Sequence, residues 1–147
     1  MSAIMSTYGR LPVTFASGVG AYLTDQKGEQ YLDALSGIAV TNLGHSHSSV
    51  TRAITEQAES LLHTSNLYGI AQQERLATEL NQLTGMERIF FCNSGAEANE
   101  TAIKMARRHG HNKGITNPQI VVLEGAFHGR TMGALSCLLY TSPSPRD

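Results

Sequence analysis

Phe90-Phe91-Cys92-Asn93-Ser94-Gly95-Ala96-Glu97-Ala98-Asn99-Glu100 passes from a short apolar run through a turn of small residues into a helical pattern. Ser94 stands three residues before Glu97. That is the spacing of a reciprocal capping box, in which Ser94 caps the helix and Glu97 reaches back to the Ser94 backbone N–H. The helix is therefore expected to begin at Gly95. Its first N–H groups lack intrahelical acceptors and carry the positive end of the helix dipole, and Gly95 and Ala96 have almost no side chain to hold a phosphate away. A capping box also begins many helices that bind nothing, so the reading depends on what lies near it.

A second loop follows, Glu124-Gly125-Ala126-Phe127-His128-Gly129-Arg130-Thr131, after the β-rich run Ile120-Val121-Val122-Leu123. Strand, helix and strand in this order predict an α/β chain with a parallel unit, whose ligands bind outside the carboxyl ends of the strands. Both loops then lie at one edge. Phe127 offers a flat aromatic face and Arg130 a two-pronged donor for a carboxylate. Such a pair of loops suits a planar, anionic cofactor.

Outward from these loops the local signals are conventional. Residues 19–24 and 29–32 flank Asp25-Gln26-Lys27-Gly28, a hairpin signal with Gly where a positive φ is needed. Residues 1–18 read as an irregular arm. Val50, Ala53, Ile54, Ala58, Leu61 and Leu62 recur at helical spacing behind Ser48 or Ser49 as cap, which predicts a helix over 50–62. A second, over 71–83, is expected to bury Leu76, Leu80 and Leu83 and to stop at Gly85. The Gly95 helix is expected to bury Ala98, Ala102, Met105 and Ala106 and to fade at Gly110.

With 11 basic and 12 acidic residues among 147, the chain offers no basic patch for nucleic acid or a membrane surface. No stretch approaches the roughly 18 apolar residues of a membrane span, and no charged-then-apolar leader opens the chain, so a cytoplasmic location is expected. Two cysteines give neither a disulfide framework nor a zinc spacing, and Cys92 is expected as a buried, inert thiol. His45 and His47 share a face of an extended segment without an acidic or sulfur partner nearby, and no metal site is expected. His109 and His111 suit the negative end of the helix dipole. Glu97, Asn99 and Glu100 would stand close to a phosphate and are given structural roles.

Several spaced blocks carry a family resemblance: Gly28-Glu29-Gln30-Tyr31-Leu32-Asp33, Gly37-Ile38-Ala39-Val40, Leu43-Gly44-His45-Ser46-His47, Ser65-Asn66-Leu67-Tyr68, Gln73-Glu74-Arg75-Leu76-Ala77, and the two loops above. In this order they resemble the class III aminotransferases, pyridoxal-phosphate enzymes of fold type I, and within them the acetylornithine branch. The resemblance implies that Ser94, Gly95 and Ala96 hold the phosphate of pyridoxal 5'-phosphate, that Phe127 stacks on its ring with His128 beside it, and that Arg130 grips a substrate carboxylate. It implies a small-molecule amino donor and a 2-oxo acid as partners, specifically N2-acetyl-L-ornithine and 2-oxoglutarate in arginine biosynthesis, and a homodimer. Succinylornithine, ornithine, succinyldiaminopimelate and 4-aminobutyrate remain as alternative donors, and an inactive phosphate-binding module as a different class. The chain has neither a Gly-x-x-x-x-Gly-Lys-Thr loop nor a Gly-x-Gly-x-x-Gly turn, which speaks against a nucleotide. Asn66, Tyr68 and the Gly37 to Val40 segment resemble family stretches near the active site or the subunit interface.

None of Lys27, Lys104 and Lys113 matches the family's Schiff-base lysine, so no catalytic residue is assigned. The chain is accordingly expected to be an N-terminal fragment, inactive alone. Residues 1–62 would form an arm and small-domain segment, and 63–136 the start of the large cofactor-binding domain. Residues 137–147 depart from the family pattern and resemble translated sequencing-adapter DNA, with a Pro/Ser-rich linker as the alternative.

Overall fold

The computed structural model describes residues 3–136. The expectation for residues 137–147 lies outside them. The described residues divide into two compact units, up to Ala71 and from Gln72 onward.

The first unit opens on a three-stranded antiparallel sheet in the order β1-β2-β3, with β1 at Phe15–Val19, β2 at Tyr22–Asp25 and β3 at Gln30–Leu32. The expected hairpin joins β2 to β3, with Tyr22 opposite Leu32 and Thr24 opposite Gln30. Its turn is closed by Asp25, whose Oδ1 accepts from the N–H groups of Lys27 (2.8 Å) and Glu29 (2.9 Å), while Gly28 takes φ +88°. β1 lies in what the sequence suggested was an irregular arm. Gly20 turns the chain at φ +55°, so the run expected over 19–24 is cut into the end of β1 and the start of β2. Phe15 and Tyr31, on the outer strands, meet edge to face at 5.5 Å.

Beyond β3 the backbone makes a tight left-handed turn, α1 at Ser36–Ala39, with φ of 54° at Ser36, 63° at Gly37, 64° at Ile38 and 60° at Ala39. Each non-glycine residue there costs about 1–2 kcal/mol. Asp33 holds the entry, its Oδ1 accepting from the N–H groups of Leu35 (3.0 Å) and Ser36 (2.7 Å). Its Oδ2 meets His45 Nε2 at 2.6 Å. His45 therefore has the acidic neighbour that the sequence did not reveal, twelve residues upstream. Gly20 and His45 exchange backbone hydrogen bonds of 3.0 and 2.8 Å, which ties the segment to the sheet. α2 then runs Ser48–Ser60, with His47 and not a serine at its N-cap.

α3 spans Ala71–Thr84, all but its first residue in the second unit, and ends as expected at Gly85, whose φ is +71°. α4 spans Gly95–Asn112 and α5 spans Met132–Ser136. α4 continues through Gly110, where Pro118 packs in the place of a side chain: a Cβ at Gly110 would lie 2.7 Å from Pro118 Cγ. α5 was not anticipated.

Three expectations fail here. The apolar runs before Asn93 and at 120–123 make no ladder hydrogen bonds among the described residues, so the parallel unit is absent from them. A run apolar on both faces needs neighbours on both sides, and Val121 is instead 95% exposed and Leu123 82%. For the same reason Cys92, expected to be buried, is exposed, its thiol donating to the Ser94 carbonyl at 3.4 Å. The helices have their apolar stripes, but Leu76, Leu83, Ala98, Ala102, Met105 and Ala106 are exposed, and α3 packs on neither α4 nor α5.

Candidate functional site

Ser94 is extended (φ −157°, ψ 161°), and its hydroxyl accepts from the Glu97 N–H at 3.2 Å, so the helix starts where the sequence placed it. Glu97 reaches back one residue further than a reciprocal box requires. Its Oε2 accepts from the Asn93 N–H at 2.7 Å, and Asn93 Nδ2 donates to the same oxygen at 3.2 Å. The carboxylate is thus turned away from the first turn. The N–H groups of Gly95 and Ala96 have no acceptor among the described residues, and a Cβ at Gly95 would meet nothing within 4 Å. Open space with two free donors at a helix N-terminus is a setting for an anion.

The 127–131 loop sits on this turn. Gly129, at φ +120°, approaches so closely that a Cβ there would lie 2.7 Å from Ala96 Cβ and 3.0 Å from Ala96 Cα. Only glycine meets both demands. Asn99 Nδ2 donates to the His128 carbonyl at 2.8 Å, and Glu100 accepts from the Thr131 hydroxyl and from the Gly133 N–H at 3.1 Å. The structural roles given to Glu97, Asn99 and Glu100 are all seen. A cavity of about 570 Å³ lies between Gly95, Ala96 and Asn99 on one side and residues 127–131 on the other. It brings together five of the six residues named from the sequence: Gly95, Ala96, Phe127, His128 and Arg130. Ser94 stands just behind as the cap. Gly129 and Thr131 were quoted in the sequence without a role; a glycine beside an aromatic and two basic residues was the available signal.

His128 Nδ1 is buried with no hydrogen-bond partner among the described residues. Phe127 is exposed, with the Arg130 guanidinium 5.4 Å from its ring centroid. Elsewhere, no three of His, Cys, Asp and Glu converge among the described residues, and no described helix is long and apolar enough to cross a membrane.

The profile of the family described as aminotransferase class-III matches residues 4–143. The chain belongs to the class III aminotransferases. The acetylornithine aminotransferase of Nitrosomonas europaea is 59% identical over 136 residues, covering 92% of this chain and 35% of that protein. The crystal structure of N-acetylornithine aminotransferase from Stenotrophomonas maltophilia superposes with a TM-score of 0.76 at 42% identity, over 84% of this chain and 35% of that one. An amine transaminase from an uncultivated Pseudomonas species, solved in its PLP-bound form, gives a TM-score of 0.79 at 31% identity, over 94% of this chain and 33% of that one. The chain spans about a third of the length of the curated relatives it matches. Its fold is part of the fold type I architecture of these aminotransferases, and their cofactor is pyridoxal phosphate. The residues present suit that group chemically: two free N–H groups over open space for an anion, an exposed aromatic face for a ring, and an orphaned imidazole nitrogen beside it.

Proposed function

We propose that this chain forms the cofactor cradle of a cytoplasmic, homodimeric acetylornithine aminotransferase, which passes the amino group of N2-acetyl-L-ornithine to 2-oxoglutarate in arginine biosynthesis. One observation carries the cradle: Gly129 seated against Ala96, which sets an aromatic, an imidazole and a guanidinium around the open N-terminus of α4. In this reading the Gly95 and Ala96 N–H groups hold the phosphate. Ser94 acts by keeping the first turn of α4 in place. Phe127 covers one face of the ring with the face that Arg130 leaves open, and the free His128 nitrogen lies at the ring's edge. Arg130, at the exposed side, pairs with a substrate carboxylate. The bound cofactor supplies an electron sink, so that the carbon bearing the amine can lose its proton.

The acetylornithine assignment is supported by the names of the relatives, 59% and 50% identical over 136 residues in two cases. Residues 1–62 are taken as arm and small-domain segment, and 63–136 as the beginning of the cofactor-binding domain. The exposed left-handed turn at Ser36–Ala39 supports a contact role there, since backbone strain of this kind is kept where a site or interface uses it.

The test is to express the complete reading frame from source DNA, load it with pyridoxal 5'-phosphate, and follow glutamate formation from 2-oxoglutarate with each candidate donor. A kcat/KM highest for N2-acetyl-L-ornithine supports the assignment. Preference for 4-aminobutyrate or ornithine would replace the substrate, and failure to retain the cofactor would refute the cradle. The 147-residue chain alone is expected to give no glutamate above free cofactor.

A further inference from the structure

We propose that Asn99 and Glu100 are positioning residues that lock the 127–131 loop in register with the first turn of α4, so that the ring-facing and phosphate-facing groups form one preassembled cradle. The inference rests on the cofactor reading above. These two neighbours on α4 hold the loop at both ends. Asn99 takes the His128 carbonyl at 2.8 Å, just before Gly129. Glu100 takes the Thr131 hydroxyl and the Gly133 N–H, just after it. Thr131 Oγ1 in turn accepts from the Ala134 N–H at 3.3 Å, and Ala134 is fully buried. Between these clamps Gly129 rests on Ala96, which leaves the loop no room to slide along the helix. A Cβ on Gly133 would collide with the Glu100 carboxylate as it is held here.

The charge of Glu100 explains why two donors are needed. A carboxylate two turns or less from a phosphate site would weaken anion binding if it were free to swing. Drawn to the Thr131 hydroxyl and the Gly133 N–H, it is held and directed at the loop. Its contribution to the cofactor is therefore indirect: it sets where Phe127, His128 and Arg130 stand. Pre-ordering of this kind raises affinity by removing the cost of arranging the loop on binding.

The complete reading frame is expressed as wild type, Asn99→Ala, Glu100→Ala and Glu100→Gln. Four readouts are taken: pyridoxal 5'-phosphate affinity, the competition constant of inorganic phosphate, the visible circular dichroism of bound cofactor, and hydrogen exchange over residues 127–134. Glu100→Ala is expected to weaken cofactor binding about tenfold and to alter the dichroism, with phosphate competition changed by less than about twofold. Glu100→Gln should restore most of the affinity, because the amide oxygen still accepts from Thr131 and Gly133. Asn99→Ala should act in the same direction as Glu100→Ala. Unchanged cofactor affinity and dichroism in Glu100→Ala would overturn the inference, as would an equal loss of cofactor and phosphate binding, which general loosening produces. A wild-type protein that retains no cofactor would refute the functional reading instead. The lock is then judged by exchange alone: faster Gly133 exchange in Glu100→Ala but not in Glu100→Gln supports it, and equal exchange overturns it.

Discussion

Replacing Gly129 with alanine tests the joint on which the candidate site depends. The new Cβ would lie 2.7 Å from Ala96 Cβ and 3.0 Å from Ala96 Cα, where ordinary carbon contacts are about 3.5–4.0 Å. The second of these neighbours is backbone inside a helix and cannot rotate away. Relief requires the loop to lift by close to 1 Å, and overpacking of this size costs about 1–3 kcal/mol. The φ of +120° at this position adds about 1–3 kcal/mol for any residue with a Cβ. The sum, about 2–6 kcal/mol, appears as lost folding stability if the loop stays seated, or as lost affinity if it lifts. A 3 kcal/mol share falling on binding would weaken pyridoxal 5'-phosphate by about 100-fold. Thermal unfolding and cofactor titration of the same preparation apportion the two. Gly95→Ala is the control, since nothing lies within 4 Å of its Cβ position. It should keep or slightly raise stability while weakening the phosphate-bearing ligand. A Gly129→Ala protein with wild-type melting temperature and a cofactor Kd within about twofold would refute the packing argument.

Three further outcomes follow from the same geometry. Ser94→Ala removes the acceptor for the Glu97 N–H and should cost about 1 kcal/mol of stability in urea unfolding, whereas Ser94→Asp should retain it; equal losses would show that the cap is not the cause. The Asp33 carboxyl is held below its ordinary value of 3.8, first by the hydrogen bond with His45 and then by the Ser36 N–H. A lowered folded value gives stability that is present above 3.8 and is lost as pH falls through the lowered value. Asp33→Asn should therefore flatten the acid limb of the melting curve over that interval, and parallel limbs would contradict it. The Tyr31 hydroxyl is raised above its ordinary 10.0, chiefly by donating to the Glu29 carboxylate at 2.9 Å. Its stabilisation is present below 10.0 and lost as pH rises through the folded value, so Glu29→Gln should lower the Tyr31 phenolate midpoint, read as the difference between the ultraviolet titrations of this variant with and without Tyr31→Phe. No shift in that midpoint would count against the bond.

What the sequence made legible was chemistry confined to a few residues. The Asp25 turn, the stop at Gly85 and the Ser94 cap are each determined by partners within four positions, and each appears where expected. β1 was hidden because Phe-Ala-Ser-Gly-Val has weak strand character of its own and is defined by its register with β2. The Asp33–His45 pair was hidden by twelve residues of separation, and the pinning of the 127–131 loop by Asn99 and Glu100 by about thirty. The strands before Asn93 and at 120–123 were read from their apolar content. Apolar content states a need for neighbours but does not supply them.

The same distinction separates the site from the core. The cradle is assembled by one helix and the loop it holds: Ser94 and Glu97 set the helix start, Ala96 receives Gly129, and Asn99 and Glu100 fix the loop ends. All of these contacts lie within the second unit, so they form even while Phe90, Val121 and Leu123 stay exposed. Under the proposed reading, a site built in this way answers to the cofactor, a phosphate at one end and a flat ring beside it. It would not distinguish which amine arrives. The fold of this segment is likewise common to differently named enzymes, since an acetylornithine aminotransferase and an amine transaminase match it at TM-scores of 0.76 and 0.79. Under the proposed reading the exposed Arg130, 5.4 Å from the Phe127 ring centroid, is the group offered to a substrate carboxylate. A carboxylate is common to many amino donors, so an arginine in that role would favour amino acids as a class, and discrimination among them would fall to residues that meet the rest of the donor.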